Sequence, residues 1–235
     1  GNTGGKLKGT AISSFCEDSQ GNIYIGSENG GLSIFDPINH KFKKSPVETE
    51  PSNFHALCIE SGYIYIGSYS TGLLKADLST GKSQRFTKDE HPQLLSDNIF
   101  SLFKSSNGNI YIGTDAGCSK YDCSNGRFSS IDSLKGVFIY DILEDKKDNM
   151  WFAGYYNGLY RFDKKNGRWS NYTNDPCDSE SIPHNKILSL YIDDKENLWI
   201  CTEGGGVCRY LYESDTFEPL SLMNGDKKTD LSIVY

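Results

Sequence analysis

The chain repeats one short motif five times, and this repetition constrains the fold more than any other feature. The copies read GNIYIGSENGGL, GYIYIGSYSTGL, GNIYIGTDAGC, DNMWFAGYYNGL and ENLWICTEGGGV. The equivalent positions Gly26, Gly67, Gly113, Ala153 and Cys201 are 40 to 48 residues apart. A repeat of this length with strand-like content predicts a radial array of β-sheets.

Each repeat divides into four short strands separated by polar turns. The consecutive apolar residues of the second strand, as in Ile23–Ile25, suit a strand covered on both faces. We therefore predict an all-β fold, a β-propeller of four-stranded antiparallel blades with almost no helix. The five predicted blades span residues 12–47, 54–88, 98–131, 138–173 and 186–221 of a single propeller region covering 1–235.

The two ends of the chain are predicted to carry partial blade strands, within residues 1–10 and 226–235. Gly5–Lys8 resembles the end of a fourth strand, and Ile233–Tyr235 resembles the start of a first strand. A closed propeller has four to eight blades. Two arrangements stay open: the chain is a segment of a larger ring, or its ends help to close a smaller one.

The overall composition narrows the function classes. The 235 residues carry a net charge of −7, which argues against nucleic acid and anionic membranes as partners. No apolar run is long enough to span a membrane, so direct membrane insertion is not expected. The chain begins at Gly1 without a methionine and is expected to be cut from a longer protein.

The seven cysteines do not form the pattern of a disulfide framework. Cys16, Cys58 and Cys118 occupy repeat positions that hold apolar residues in other copies, which predicts buried thiols that pack as small hydrophobic groups. Cys201 and Cys208 could face each other across a turn, so a disulfide between them stays open.

The fifth repeat, Asn174–Tyr210, carries the clearest family resemblance. It has a serine-rich lead-in, an asparagine before the first strand, and the run DDKENLWICTEGGGVCRY. This resembles the two-component regulator propeller repeat, although Ala153 and Cys201 replace the usual glycine. The resemblance implies the periplasmic sensor of a hybrid histidine kinase, with further propeller and immunoglobulin-like domains, and in many members an oligosaccharide signal.

No catalytic or metal-binding motif is present in the sequence. The four histidines occupy different repeat positions, and we expect no catalytic residue, no metal ligand and no cofactor. Asp18, Asp145 and Asp193 share one turn position, where capping of nearby backbone amides is favoured over calcium binding. The series at the end of the third strand is interpreted in the same way: Asp36, Asp77, Asp122 and Asp163.

Recognition is expected at the variable turns and linkers, which should emerge on one face of the blades. Tyrosines there could stack on sugar rings, while carboxylates and amides bind hydroxyl groups. The candidate ligand-binding residues are Glu28, Asn29, Tyr69, Asp115, Tyr155, Tyr156 and Glu203.

The function predicted from the sequence is that of a non-enzymatic, extracytoplasmic sensor module. The expected partners are an oligosaccharide, the remaining sensor domains of the parent chain and a second copy of the protein. Two alternatives stay open. One is a propeller lyase or another glycan-active enzyme, and the other is a scaffold for protein–protein interaction.

Overall fold

The computed structural model describes residues 5–49, 53–224 and 227–230, and its regular structure is almost entirely β. Twenty of the strands form five antiparallel sheets, each with its four strands paired in chain order. A single 3-10 turn, Asp132–Leu134, is the helical element of the described residues. The prediction of an all-β fold with five four-stranded meanders is confirmed.

The chain divides into two compact units, Gly1–Lys135 and Gly136–Tyr235. The first unit holds three sheets. Their strands are β1 (Ile12–Glu17), β2 (Ile23–Ser27), β3 (Gly31–Asp36), β4 (Lys41–Lys43); β5 (Phe54–Glu60), β6 (Tyr63–Ser68), β7 (Leu73–Asp77), β8 (Ser83–Phe86); β9 (Ile99–Lys104), β10 (Ile110–Thr114), β11 (Gly117–Asp122) and β12 (Arg127–Ser130).

The second unit holds the two remaining sheets and a hairpin. Their strands are β13 (Ile139–Glu144), β14 (Asn149–Gly154), β15 (Gly158–Asp163), β16 (Arg168–Tyr172); β17 (Ile187–Ile192), β18 (Leu198–Thr202), β19 (Gly206–Leu211), β20 (Thr216–Pro219); and the hairpin β21 (Ser221–Asn224) with β22 (Lys227–Asp230).

The two predicted terminal strands have different outcomes. The structure assigns no strand to residues 5–10, so the prediction for Gly5–Lys8 is wrong. This segment bonds to the first sheet through a side chain, since the Lys8 amide donates to the Ser33 hydroxyl at 2.9 Å. The predicted strand at Ile233–Tyr235 lies outside the described residues.

Within each unit, the first strands of consecutive sheets lie side by side: β1 by β5, β5 by β9, and β13 by β17. In three of the repeats, the aromatic residue of the motif packs toward the next sheet of the same unit. Tyr24 joins a buried cluster with Leu57 and Ile66, and Trp151 joins one with Ile187 and Ile200. Tyr65 does the same between the second and third sheets. The predicted structural role of these three aromatic residues is confirmed.

A glycine is needed at one point of close approach between the second and third sheets. Gly67 lies on β6, and a Cβ atom built there would be 2.4 Å from Cγ2 of Ile99 on the next sheet. That distance is far inside van der Waals contact, so a side chain would force the sheets apart. The glycine of the motif at this position is therefore explained by packing between sheets.

The cysteines of the described residues are all free thiols. Cys58, Cys118 and Cys208 are buried, and burial raises the pKa of the Cys58 thiol to about 12. Cys201 pairs with Val207 in the β18–β19 ladder, while Cys208 pairs with Ile200. Cys208 shares a face of the sheet with its partner Ile200, and adjacent positions such as Ile200 and Cys201 point to opposite faces. Cys201 and Cys208 therefore lie on opposite faces and form no disulfide here.

The acidic residues of the turns cap backbone amides, as predicted. Asp193 Oδ1 accepts hydrogen bonds from the amides of Lys195 and Asn197, and its Oδ2 accepts from the Trp199 indole. Asp18 makes the same backbone bonds in the first sheet, to Gln20 and Asn22. The third-strand aspartates do likewise, as Asp77 Oδ1 shows by accepting from the amides of Ser79 and Thr80.

Asp145 accepts hydrogen bonds from two sheets and is only 6% exposed. Its Oδ1 accepts from the amides of Lys147 and Asn149, at 2.8 and 2.9 Å. Its Oδ2 accepts from the Trp151 indole and from the Tyr212 hydroxyl of the next sheet, at 2.8 and 2.9 Å. One side chain thus holds a turn together and ties two sheets of the second unit.

We predict that Asp145→Ala lowers the free energy of unfolding by about 2–4 kcal/mol, because buried donors lose their acceptor. Urea denaturation followed by tryptophan fluorescence measures this change. The matched control is Asp163→Ala, whose carboxylate caps an exposed turn through Lys165 and Asn166. Equal losses in the two variants would contradict the role assigned to Asp145.

Stability should also fall at acid pH. Hydrogen bonds from the Ser79 hydroxyl and the neighbouring amides lower the pKa of Asp77 from 3.8 to about 2, and those of Asp122 and Asp163 are also lowered. A depressed folded-state pKa stabilises the fold above the unfolded value, and this stabilisation is lost as pH falls through the folded value. We expect the urea midpoint to fall between about pH 4 and pH 2.

Asp77→Asn tests this assignment because it keeps an oxygen acceptor and removes the titrating proton. The difference in urea midpoint between the unaltered protein and this variant should shrink as pH falls from about 4 to about 2. Parallel curves over that interval would show that Asp77 contributes nothing to the acid sensitivity.

Candidate functional site

The turn between the second and third strands of a sheet is bonded to the linker that leads into the next sheet. In the first unit, the Asn29 amide donates to Oδ1 of Asn53, and the Ser70 amide donates to Oδ1 of Asn98, both at 3.0 Å. Asn53 and Asn98 each precede a first strand. The prediction that these turns and linkers emerge on the same side of the sheets is therefore confirmed within this unit.

Glu28 and Asn29 lie at the exposed β2–β3 turn. Asn29 adopts a left-handed backbone with φ of 53°, and its amide is held by the Asn53 side chain. The Glu28 amide donates to the Ala11 carbonyl at 2.9 Å. Both bonds use backbone amides, and the two side chains are exposed.

Tyr69 lies with two aromatic rings that the sequence did not single out. Its ring centroid is 6.3 Å from His55 and 6.3 Å from Phe100, and it is 49% exposed. Asp115 lies on the next turn and accepts a 2.6 Å hydrogen bond from Nδ2 of Asn98. Asn98 thereby joins the turns that carry the two predicted residues, Tyr69 and Asp115.

The second unit brings three of the predicted residues together. The Tyr155 hydroxyl donates to Oε2 of Glu203 at 2.6 Å, and the Tyr155 and Tyr156 rings meet edge to face with centroids 4.6 Å apart. We call this group, together with Phe138, Tyr140 and Lys186, the tyrosine surface. Tyr156 is 60% exposed and forms its most accessible part.

Phe138, Tyr140 and Lys186 were missed by sequence reasoning. The Tyr140 ring stacks on Tyr155 with centroids 5.3 Å apart and an angle of 24° between the planes, and Phe138 packs against both rings. The β13–β14 ladder shifts register between Ile139 and Asp141. Such a bulge re-aims the extra residue, and a pattern based on strict strand alternation does not anticipate it.

One sequence signal could have found Tyr140. Tyr140 lies immediately before Asp141, which pairs with Ala153 of the repeated motif. His55 and Phe100 hold the same position in the second and third sheets, because each lies immediately before the residue that pairs with the motif glycine. The β5–β6 and β9–β10 ladders also shift register at this point. An aromatic ring or histidine at this repeat position therefore marks a bulged residue beside the recognition turn.

Charge is balanced within the tyrosine surface. Lys186 Nζ lies 3.2 Å from Oε1 of Glu203 and 5.5 Å from the ring centroids of both Tyr155 and Tyr156. The hydrogen bond to Glu203 raises the pKa of Tyr155 to about 12. Hydrogen bonds from Tyr155 and then Lys186 lower the pKa of Glu203, so this carboxylate is ionised at neutral pH.

The tyrosine surface offers groups that could contact a ligand. Exposed aromatic faces bind apolar faces of a ligand, while Lys186 and Glu203 offer a donor and an acceptor for hydroxyl groups. Among the residues that the structure describes, no group of three histidines, cysteines or carboxylates could hold a metal ion. In the same part of the chain, no helix is long and apolar enough to cross a bilayer.

A family model, the two-component regulator propeller, matches four segments of the chain: residues 6–29, 93–116, 133–156 and 181–204. Each matched segment runs from a linker through a first and second strand into the turn that follows. The turns of Asn29, Asp115, Tyr155 and Glu203 all lie within matched segments.

Known proteins of similar sequence or fold agree with this match. Histidine kinase P4 of Formosa agariphila is 28% identical over 190 residues, which cover 75% of this chain and 14% of that protein. The extracellular domain of a hybrid two-component system from B. thetaiotaomicron superimposes with a TM-score of 0.71 at 22% identity, over 83% of this chain and 26% of its own. This chain therefore spans only a small part of either relative.

A different class of protein shares the fold more distantly. Virginiamycin B lyase from Staphylococcus aureus has a TM-score of 0.65 at 15% identity, over 92% of this chain and 69% of the lyase. At that identity the likeness concerns the fold alone. With its five four-stranded sheets, the chain is a β-propeller protein, and four of its repeats are those of the two-component regulator propeller family.

Proposed function

We propose that this chain is a non-enzymatic recognition module in the extracytoplasmic, periplasmic sensor of a hybrid two-component regulator, and that it binds an oligosaccharide. The family match and the likeness to a histidine kinase support the signalling context. The extracellular domain of the B. thetaiotaomicron system supports the location. The remaining sensor domains of the parent chain and a second copy of the protein are its proposed partners.

The tyrosine surface is the observation that carries the proposal. Sugar rings present apolar C–H faces and a rim of hydroxyl groups, so they are bound by aromatic rings flanked by charged or amide groups. Tyr156 offers an exposed ring, and Tyr155 is held in place by Glu203 and by stacking on Tyr140. A pre-ordered aromatic surface loses little side-chain entropy when a ligand binds.

Signalling requires that the ligand prefer one arrangement of the sensor over another, because equal affinity for two states shifts neither. The turns that carry Tyr155 and Glu203 belong to consecutive sheets of the second unit. A sugar lying across both turns would therefore interact with the relative position of these sheets. We propose this bridging as the way in which binding is coupled to the sensor.

The test is a screen of neutral and acidic oligosaccharides for binding to the purified chain, followed by calorimetry with Tyr156→Ala. We expect this variant to weaken binding of the best ligand by about tenfold, equivalent to about 1.4 kcal/mol. Tyr191→Ala is the matched control, because Tyr191 is equally exposed, at 61% against 60%, and lies on β17 outside the tyrosine surface.

Three results would contradict the proposal. One is equal affinity in the two variants, and another is the absence of any glycan ligand together with recovery of a protein partner. The third is turnover of a bound glycan by the purified chain, which would favour the enzyme alternative. The two variants should have the same urea midpoint as the unaltered protein, because both side chains are largely exposed.

A further inference from the structure

A cleft of about 830 Å³ lies in the first unit and shares no residue with the tyrosine surface. Its walls come from the segment before β1, strands β3 and β4 with the linker that follows, and strands β7 and β8 of the second sheet. Buried apolar side chains contribute to its lining, namely Leu32, Val47 and Leu74. The cleft therefore combines apolar groups with a margin of more exposed side chains.

The charged groups around this cleft are mostly basic. Lys6, Lys8, Lys44 and Arg85 line it, and none of them has a carboxylate within ion-pair distance among the described residues. Lys43 also lines the cleft but is neutralised by Asp36, with Nζ 2.9 Å from Oδ2. Glu48 is the single carboxylate among the described lining residues.

This concentration of positive charge is unusual for the chain as a whole, which has a net charge of −7. Like charges gathered at one cleft raise its local positive potential, which favours the binding of an anion there. The Arg85 guanidinium is partly committed, because Nη1 donates to the Thr71 carbonyl and hydroxyl at 2.8 and 2.9 Å. These acceptors are neutral and leave its charge uncompensated.

The shape of the linkers explains why a cleft opens here. In the third sheet, the Ser119 hydroxyl donates to the Gln93 carbonyl and accepts from the Leu95 amide, which holds that linker against the sheet. Cys118 precedes Ser119 and pairs with Gly113, just as Leu73 precedes Leu74 and pairs with Gly67. Leu74 is therefore the residue of the second sheet that corresponds to Ser119. Leu74 has no group that could bind a linker, so the chain after β4 is not held there in the same way.

We propose that this cleft is a binding site for an extended organic anion, a linear molecule with two or more carboxylate or sulfate groups. The basic residues come from three different segments of the chain, which favours a ligand with several spaced anionic groups over one compact ion. The apolar lining residues are buried, so contacts with the anion would come from the exposed basic side chains and the aliphatic parts of those side chains. This site goes beyond the proposed function and is separate from the tyrosine surface.

The experiment measures binding of four probes to the complete chain: oligogalacturonate, a sulfated oligosaccharide of similar length, a neutral oligosaccharide and inorganic sulfate. We expect the charged oligosaccharides to bind with an affinity that falls as salt is added, because ionic contacts are screened. Preference for the carboxylated or the sulfated probe distinguishes the two sources of negative charge. Neither charged oligomer binding, or sulfate alone binding as tightly as the oligomers, would overturn the proposal.

The double variant Lys8→Glu/Lys44→Glu locates the site. We expect it to weaken binding of the charged oligosaccharides by about tenfold or more. Lys41→Glu/Lys88→Glu is the matched control, because it makes the same change of charge at two exposed lysines that do not line the cleft. Equal weakening in both double variants would reduce the effect to net charge and overturn the proposal.

Two further measurements separate this site from the proposed function. Tyr156→Ala should leave binding of the charged oligomer to the cleft unchanged, whereas Lys8→Glu/Lys44→Glu should leave any neutral glycan ligand of the tyrosine surface unchanged. All four lysines are exposed, so unchanged urea midpoints are expected. Loss of charged-oligomer binding in Tyr156→Ala, with retention in Lys8→Glu/Lys44→Glu, would place the anion at the tyrosine surface instead.

Discussion

Apolar packing between consecutive sheets is the interaction on which the rest of this structure depends. A four-stranded meander with two apolar faces is barely stable alone, and it gains its core from its neighbours. The clusters around Tyr24, Tyr65 and Trp151 each combine residues of two sheets. Close approach at these contacts also explains Gly67, where no side chain would fit. Packing between sheets therefore explains which residue types recur in the motif.

Polar turn residues maintain the scaffold at its edges and leave other turns free to vary. Asp145 and Asp193 satisfy backbone amides and an indole in equivalent turns, so these carboxylates are used structurally. At the turns between second and third strands, asparagines such as Asn53 and Asn98 hold the backbone by accepting from its amides. Because backbone amides are held, the side chains at those turns can change without loss of the fold. Recognition by Tyr155, Tyr156 and Glu203 is compatible with this division.

Much of the fold was predictable because strand pairing, turn chemistry and sheet packing leave periodic signals. The five sheets, the buried Cys58 and Cys118, and the capping aspartates all follow from residues at equivalent repeat positions. Gly5–Lys8 was misassigned because an isolated segment has no periodicity with which to exclude a strand. Tyr140 and Lys186 were missed because a bulge and a linker place them beside Tyr155 and Glu203. Neither feature obeys the two-residue alternation of a strand.

The sequence by itself determined the all-β propeller architecture, the family resemblance of the repeats and the turns at which recognition is proposed, since each depends on local pattern repeated along the chain. Only the tertiary structure decided which candidate residues meet. It brought Tyr155, Tyr156 and Glu203 into one group, and it left Glu28 and Asn29 at a separate exposed turn. It also gathered Lys6, Lys8, Lys44 and Arg85 around one cleft from distant parts of the chain. The physical reason is that side chains far apart in sequence meet through linker paths and sheet register, which no single repeat encodes.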